Sequence, residues 1–175
     1  MRIYVLESET MKIRKTTTTD LPAVMEIYAQ ARKAMADSGN PTQWGESHPV
    51  QSIIETDIAV GLSYVCETNT GEIVAVFYFD TAPDPTYTEI NGAWKNDAPY
   101  GIVHRIARAS TPAAKGAGAF CLEWCFAKTG NVRIDTHKKN APMLKLLENL
   151  GYSYCGVIWL EELGDDGERL AFQKI

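Results

Sequence analysis

The period of the hydrophobic pattern changes along this chain, and that change restricts the fold to helices packed on a sheet. Leu21, Val24, Met25, Tyr28, Ala31 and Met35 recur at helical spacing, and Ser38-Gly39-Asn40-Pro41 stops the helix. Asp20 or a preceding threonine is expected to cap it, with Pro22 tolerated in the first turn. A second helix is expected over 51–60, ended by Gly61. From Ser63 the residues turn β-branched and aromatic. Stretches 63–68 and 72–79, joined by Asn69-Thr70-Gly71, predict a hairpin. Further strands are expected over 12–17, 100–109, 132–136, 154–160 and 169–175, and helices over 116–128 and 140–150. Residues 81–99, with Pro83, Pro85 and Pro99 in a polar setting, form a long connection, and such connections in compact domains are often functional. The order βααββ followed by βαβαββ predicts an α/β fold, a mixed sheet with helices on its faces.

The 175 residues suit one domain. A net charge of −5 argues against a general nucleic-acid or anionic-membrane binder. No run approaches the roughly 18 apolar residues of a membrane span, and the start of the chain lacks a signal-peptide pattern, so the expected location is cytoplasmic. Cys66, Cys121, Cys125 and Cys155 are too sparse for a disulfide framework. Cys121 and Cys125 share a helix face, but no paired ligands complete a zinc site, so buried thiols and no metal are expected.

The most informative segment runs from Ile106 to Ala119: a strand, a small-residue loop, then directly a helix. Small residues allow close approach to the backbone, and the first-turn amides have no intrahelical acceptors. With the positive end of the helix dipole they make an anion site suited to a pyrophosphate, although small residues here can also merely serve tight packing. Residues 101–145 carry a local charge of +6, against −11 for the remainder, which suits a polyphosphate cofactor.

These residues resemble the GNAT superfamily of acyl-CoA-dependent N-acetyltransferases. Ile106-Ala107-Arg108 takes the place of the family's strand end, and Ala113-Ala114-Lys115-Gly116-Ala117-Gly118 that of its Arg/Gln-x-x-Gly-x-Gly/Ala loop. The strand–Asn–helix–Gly-aromatic element matches Ile134 to Asn140 and Leu150-Gly151-Tyr152. The resemblance spans residues 11–175, leaving 1–10 as an N-terminal extension or extra strand. It implies a mostly antiparallel twisted sheet with helices on both faces and a splayed central strand pair. It also implies acetyl-CoA as cosubstrate, with amides from Ala114 to Ala119 on the pyrophosphate and Lys115 near its phosphates. Backbone groups of Ile106 and Arg108 would pair with the pantetheine arm, and Asn140 would reach that arm. Two positions depart from the pattern. Ala113 stands where the family has Arg or Gln, and Leu147 where many members have a thiolate-protonating Tyr. A homodimer is compatible with the resemblance.

Direct attack on the thioester requires the acceptor ammonium to lose a proton. His104, on the strand that would splay, is the best-placed base, and a structural histidine bonded within the sheet is the equal alternative. Glu89 is a weaker candidate, and His137 is expected to meet solvent or CoA. The loops holding Asn40, Trp44 and Trp94 are expected to wall the acceptor pocket. The sequence thus predicts acetyl transfer to a primary amine, on a small molecule or peptide, by direct attack in a ternary complex. The alternative is a non-catalytic acyl-CoA-binding or regulatory module.

Overall fold

The computed structural model describes residues 10–175. The extension or extra strand expected over 1–10 lies outside the described residues except for Thr10. The elements are β1 (Lys12–Lys15), α1 (Leu21–Asp37), α2 (Gln51–Ala59), β2 (Ser63–Glu67), β3 (Ile73–Asp80) and β4 (Asn91–Gly92). They continue with β5 (Gly101–Arg108), α3 (Ala117–Thr129), β6 (Val132–Thr136), α4 (Ala141–Asn149), β7 (Ser153–Trp159) and β8 (Glu168–Lys174). One sheet holds the strands in the order β1-β2-β3-β5-β6-β8-β7-β4.

Local chemistry accounts for the ends of these elements. Thr17 and Asp20 cap a short 3₁₀ turn reciprocally, with the Asp20 carboxylate accepting from the Thr17 amide at 2.7 Å, so Asp20 enters α1 without capping it through its side chain. The Asn140 side chain caps α4, its Oδ1 accepting from the Met143 amide at 3.3 Å. Two features are additional to the sequence reading. The 81–99 connection contains β4, which pairs with β7 through Asn91 opposite Val157 and Gly92 opposite Gly156. The turn between β7 and β8 is a 3₁₀ stretch, Glu161–Asp166.

Helices cover both faces of the sheet. On one, α3 lays Trp124 against Tyr64, Phe77 and Phe79, with ring centroids 5.2–5.9 Å apart. Tyr78 points the other way, toward Arg105, whose guanidinium sits 4.7 Å over its ring and reaches Asp57 of α2. Val24, Ile27 and Tyr28 of α1 are buried in the main core with β3 and α3. All four cysteines are buried and unpaired.

Two irregularities prepare a site in the middle of the sheet. The parallel pair β5–β6 is in register only at Gly101–Val132 and Ile102–Arg133, after which the strands part. Each stays paired on its outer side, β5 with β3 and β6 with β8. Just beyond that point β5 bulges. Val76 faces Ala107 and Tyr78 faces His104, so Arg105 and Ile106 together oppose Phe77. Arg105 adopts φ 49°, a conformation that costs a side-chain-bearing residue about 1 kcal/mol or more. It is held there by Tyr28 Oη, which donates to the Arg105 carbonyl at 2.8 Å, and by Asp57. The bulge therefore sits where β5 leaves β6.

Candidate functional site

Two cavities meet at the parting of β5 and β6. One, of about 600 Å³, runs between the end of β5, the start of α3 and α4, with Ile106, Arg108, Lys115, Gly116, Gly118 and Ala119 in its wall. Among the described residues its lining includes two cations, Arg108 and Lys115, and no carboxylate. The other, of about 700 Å³, opens beneath the loop after α1 and holds Trp44, Asp84, His104, Asp135 and Arg169. Met35, Ile106, Asn140 and Met143 border both, so the two form one cleft through the sheet.

The first cavity has the donors an anion needs. Gly116 takes a left-handed conformation (φ 80°), which a β-carbon would strain, and turns the chain into α3. The amides of Ala114 and Lys115 already donate to the carbonyls of Thr111 and Pro112. Those of Gly116 to Ala119 precede the first hydrogen bond back into the helix, from Phe120 N to Gly116 O. Of these, the amides of Gly116, Gly118 and Ala119 belong to residues that line the cavity. Ala114 and Ala117 are fully buried and act through packing, while Ala113 lies outside this cavity, against the core and Glu72. A β-carbon on Gly118 would come within 3.3 Å of Leu146 Cδ2, so its absence lets α4 close one wall. The charge excess of the 101–145 stretch proves dispersed, because of its eight basic residues only Arg105, Arg108 and Lys115 line either cavity.

The second cavity is built around His104. Its Nε2 lies 2.6 Å from Asp84 Oδ2, and its Nδ1 is 3.9 Å from Asp135 Oδ1. Thr86 donates to the other Asp84 oxygen from its amide and its hydroxyl, at 2.9 and 2.7 Å. Burial alone would raise the Asp84 carboxyl, but the hydrogen bonds from His104 and Thr86 outweigh it and bring it down to about 2. Tyr87 Oη donates to Asp135 at 2.6 Å, and burial followed by that carboxylate holds the phenol firmly protonated. His104 is therefore bonded to a loop carboxylate and faces the cavity, with a quarter of its side chain accessible.

The acceptor-side residues expected from sequence separate. Trp44 lines the cavity and packs edge-on against Tyr28. Asn40 is buried behind the wall and donates to Gln43 Oε1 at 2.8 Å, and the same oxygen accepts from Asn140 Nδ2 at 3.0 Å. Gln43 thus joins the loop after α1 to the start of α4. Trp94 lies outside both cavities, its indole donating to the Tyr87 carbonyl at 3.0 Å within a smaller apolar cluster. Glu89 is exposed and apart from the cavities. His137, expected to meet solvent or CoA, is buried and lines neither cavity, with Nδ1 accepting from the Lys139 amide and Nε2 at 3.1 Å from Asp166. Leu147 is fully buried, and Tyr152 is a core aromatic whose phenol burial pushes up.

A mixed sheet opened at one parallel pair, with a small-residue helix start beside the gap, defines the acyltransferase architecture that the sequence resembles. A GNAT-family acetyltransferase structure from Streptococcus agalactiae is 30% identical, with a TM-score of 0.84 over 94% of this chain and 95% of that one. GNAT-family structures from Listeria monocytogenes (18% identity, TM-score 0.65, 94% of both chains) and Bacillus cereus (15%, 0.61, 94% and 96%) share the fold. No family model and no curated protein matches the chain. On the Streptococcus likeness, the chain belongs to the GNAT family of acetyltransferases.

Proposed function

We propose that this acetyltransferase moves an acetyl group from acetyl-CoA to a primary amine by direct attack in a ternary complex. The observation that carries the reading is the junction of the two cavities at Ile106 and Asn140, with donors and cations on one side and a His–carboxylate cluster on the other. Three free amides, those of Gly116, Gly118 and Ala119, with two cations and small side chains, fit the pyrophosphate and arm of CoA. Acetyl-CoA supplies a thioester carbonyl open to attack and a thiolate that leaves.

The chain's own residues then divide the work. Gly116, Gly118, Ala119 and Lys115 hold the phosphates, and the bulged backbone at Ile106 faces the acyl end. With Nε2 donating to Asp84, the free lone pair of His104 lies on Nδ1, the nitrogen turned toward Asp135. An ammonium seated between Nδ1 and Asp135 gives its proton to His104, and Asp84 steadies the imidazolium that forms. Leu147 offers no proton, so the second proton that the attacking nitrogen sheds as the amide forms reaches the leaving thiolate by way of water.

Thiol release from acetyl-CoA, followed with a thiol-reactive chromophore across a broad amine panel, tests the proposal. Turnover with at least one amine class, strongly reduced in His104→Ala, is expected. Tight CoA binding with no turnover across the panel would overturn it in favour of a non-catalytic acyl-CoA-binding module.

A further inference from the structure

Arg169, on β8, is the largest fully buried side chain among the described residues, with 2% of its surface accessible, and it lines the His104 cavity. Its Nη1 donates to the carbonyls of Asp166 and Glu168 at 2.6 and 2.8 Å. Its Nη2 has no partner, and among the described residues no carboxylate forms an ion pair with the guanidinium. A buried cation held by carbonyls alone lacks the counter-charge that would offset its desolvation. Burial lowers its proton affinity, and only Asp135, Asp166 and Glu162 at longer range oppose that. The donor geometry of a guanidinium matches a carboxylate.

The same cavity carries the opposite polarity a few residues away. Register places Asp135 opposite Ala171, two residues along β8 from Arg169 and on the same face of the sheet. Asp84, His104 and Asp135 form an end suited to an ammonium, and Arg169 an end suited to an acid. His48, also in the wall, is biased against protonation first by desolvation and then by Arg105, Arg32 and Arg169. An aliphatic diamine would leave Arg169 unpaired, and so would a simple monoamine.

We infer that the acceptor is an amino-acid-type molecule whose carboxylate pairs with Arg169 while its amine sits at His104 and Asp135. This rests on the proposed amine acetylation and names the acceptor class for that site. The free carboxylate supplies both the missing acceptor for Nη2 and a counter-charge for the guanidinium, whereas a carboxamide supplies the acceptor without the charge and a decarboxylated amine supplies neither.

Thiol release is compared over matched sets in which each free amino acid is set beside its carboxamide and its decarboxylated amine. The free acids should show kcat/KM higher by about 10- to 100-fold, the factor that a hydrogen bond to a charged group supplies. Arg169→Gln should erase the preference, bringing the free acids down to the level of their own carboxamides in the same variant. Arg169→Lys, which keeps the charge, should retain part of it, and the melting temperature of each variant reports whether it folds. Thermal shift of the wild-type chain by free amino acids without acetyl-CoA gives a readout independent of turnover, and the carboxamides should shift it less. Equal or better turnover of carboxamides and amines, with equal thermal shifts, overturns the inference while leaving amine acetylation intact. No thiol release from any set overturns the underlying reaction instead.

Discussion

Replacing Asp84 by Asn keeps the side chain's size and removes its charge, which isolates what the carboxylate does for His104. In the wild type Asp84 Oδ2 lies 2.6 Å from Nε2, and two Thr86 donors fix the other oxygen. When His104 takes the acceptor's proton, that contact becomes a bond between an imidazolium and a carboxylate. Hydrogen bonds to charged groups contribute about 1.5–3 kcal/mol, and each 1.4 kcal/mol is tenfold in rate. Asp84→Asn should therefore lower kcat/KM for the amine by about 10- to 150-fold. The cavity holding Gly116 and Lys115 does not include Asp84, so the affinity for CoA, measured by calorimetry, should stay within about twofold. Steady-state thiol release at saturating acetyl-CoA reads the first number. A variant that retains more than a third of wild-type kcat/KM would refute the assignment of His104 as a base supported by Asp84. So would an equal loss of CoA affinity, because the effect would then be a general disturbance of the cleft.

Gly118→Val should weaken CoA binding by at least about tenfold, because its β-carbon starts 3.3 Å from Leu146 Cδ2 and the branched side chain enters the cleft; calorimetric titration with CoA measures it. Leu147→Ala should destabilise the fold by about 2–5 kcal/mol in urea unfolding, the usual cost of truncating a fully buried leucine, and a change below 1 kcal/mol would show that this site collapses readily. Asp20 is held at about 2, first by its hydrogen bonds with Arg14, and Asp84 also lies at about 2. Both are depressed in the folded chain, so the stability they contribute is present above about pH 4 and lost as pH falls toward 2. Asp20→Asn should flatten the loss of stability over that window, as followed by circular dichroism of acid unfolding.

Most elements were legible because their signals are local. The helical spacing from Leu21 to Met35, the Asn69-Thr70-Gly71 turn and the Asn140 cap each act over a few residues, and the structure reproduces them. β4 escaped because two residues have no period, and its pairing with β7 is set by partners some 65 residues away. The cofactor-side stretch was readable as a contiguous strand, loop and helix. The acceptor side was not, because its groups are brought together only by the sheet. Asp84 and His104 are 20 residues apart, Asn40 and Asn140 meet through Gln43, and Arg169 comes from the last strand. A loop tryptophan carried the same signal at both positions, yet Trp44 reached the cavity and Trp94 found the Tyr87 carbonyl instead. No local cue marked Arg169, because Glu168, Gln173 and Lys174 make its strand mixed in character.

The gap between β5 and β6 has a thermodynamic meaning beyond the room it makes. Past Ile102 the two strands turn facing rows of backbone donors and acceptors toward each other without bonding, which amounts to two sheet edges in the interior of the molecule. Outer edges invite other chains, and proteins usually blunt them with charge or proline. These inner edges lie at the bottom of a cleft, where a whole strand cannot enter but a thin molecule bearing amides can. Whatever pairs there ties the two halves of the sheet together, so the ligand contributes to the cohesion of the fold by mass action, and the melting temperature should rise with its concentration.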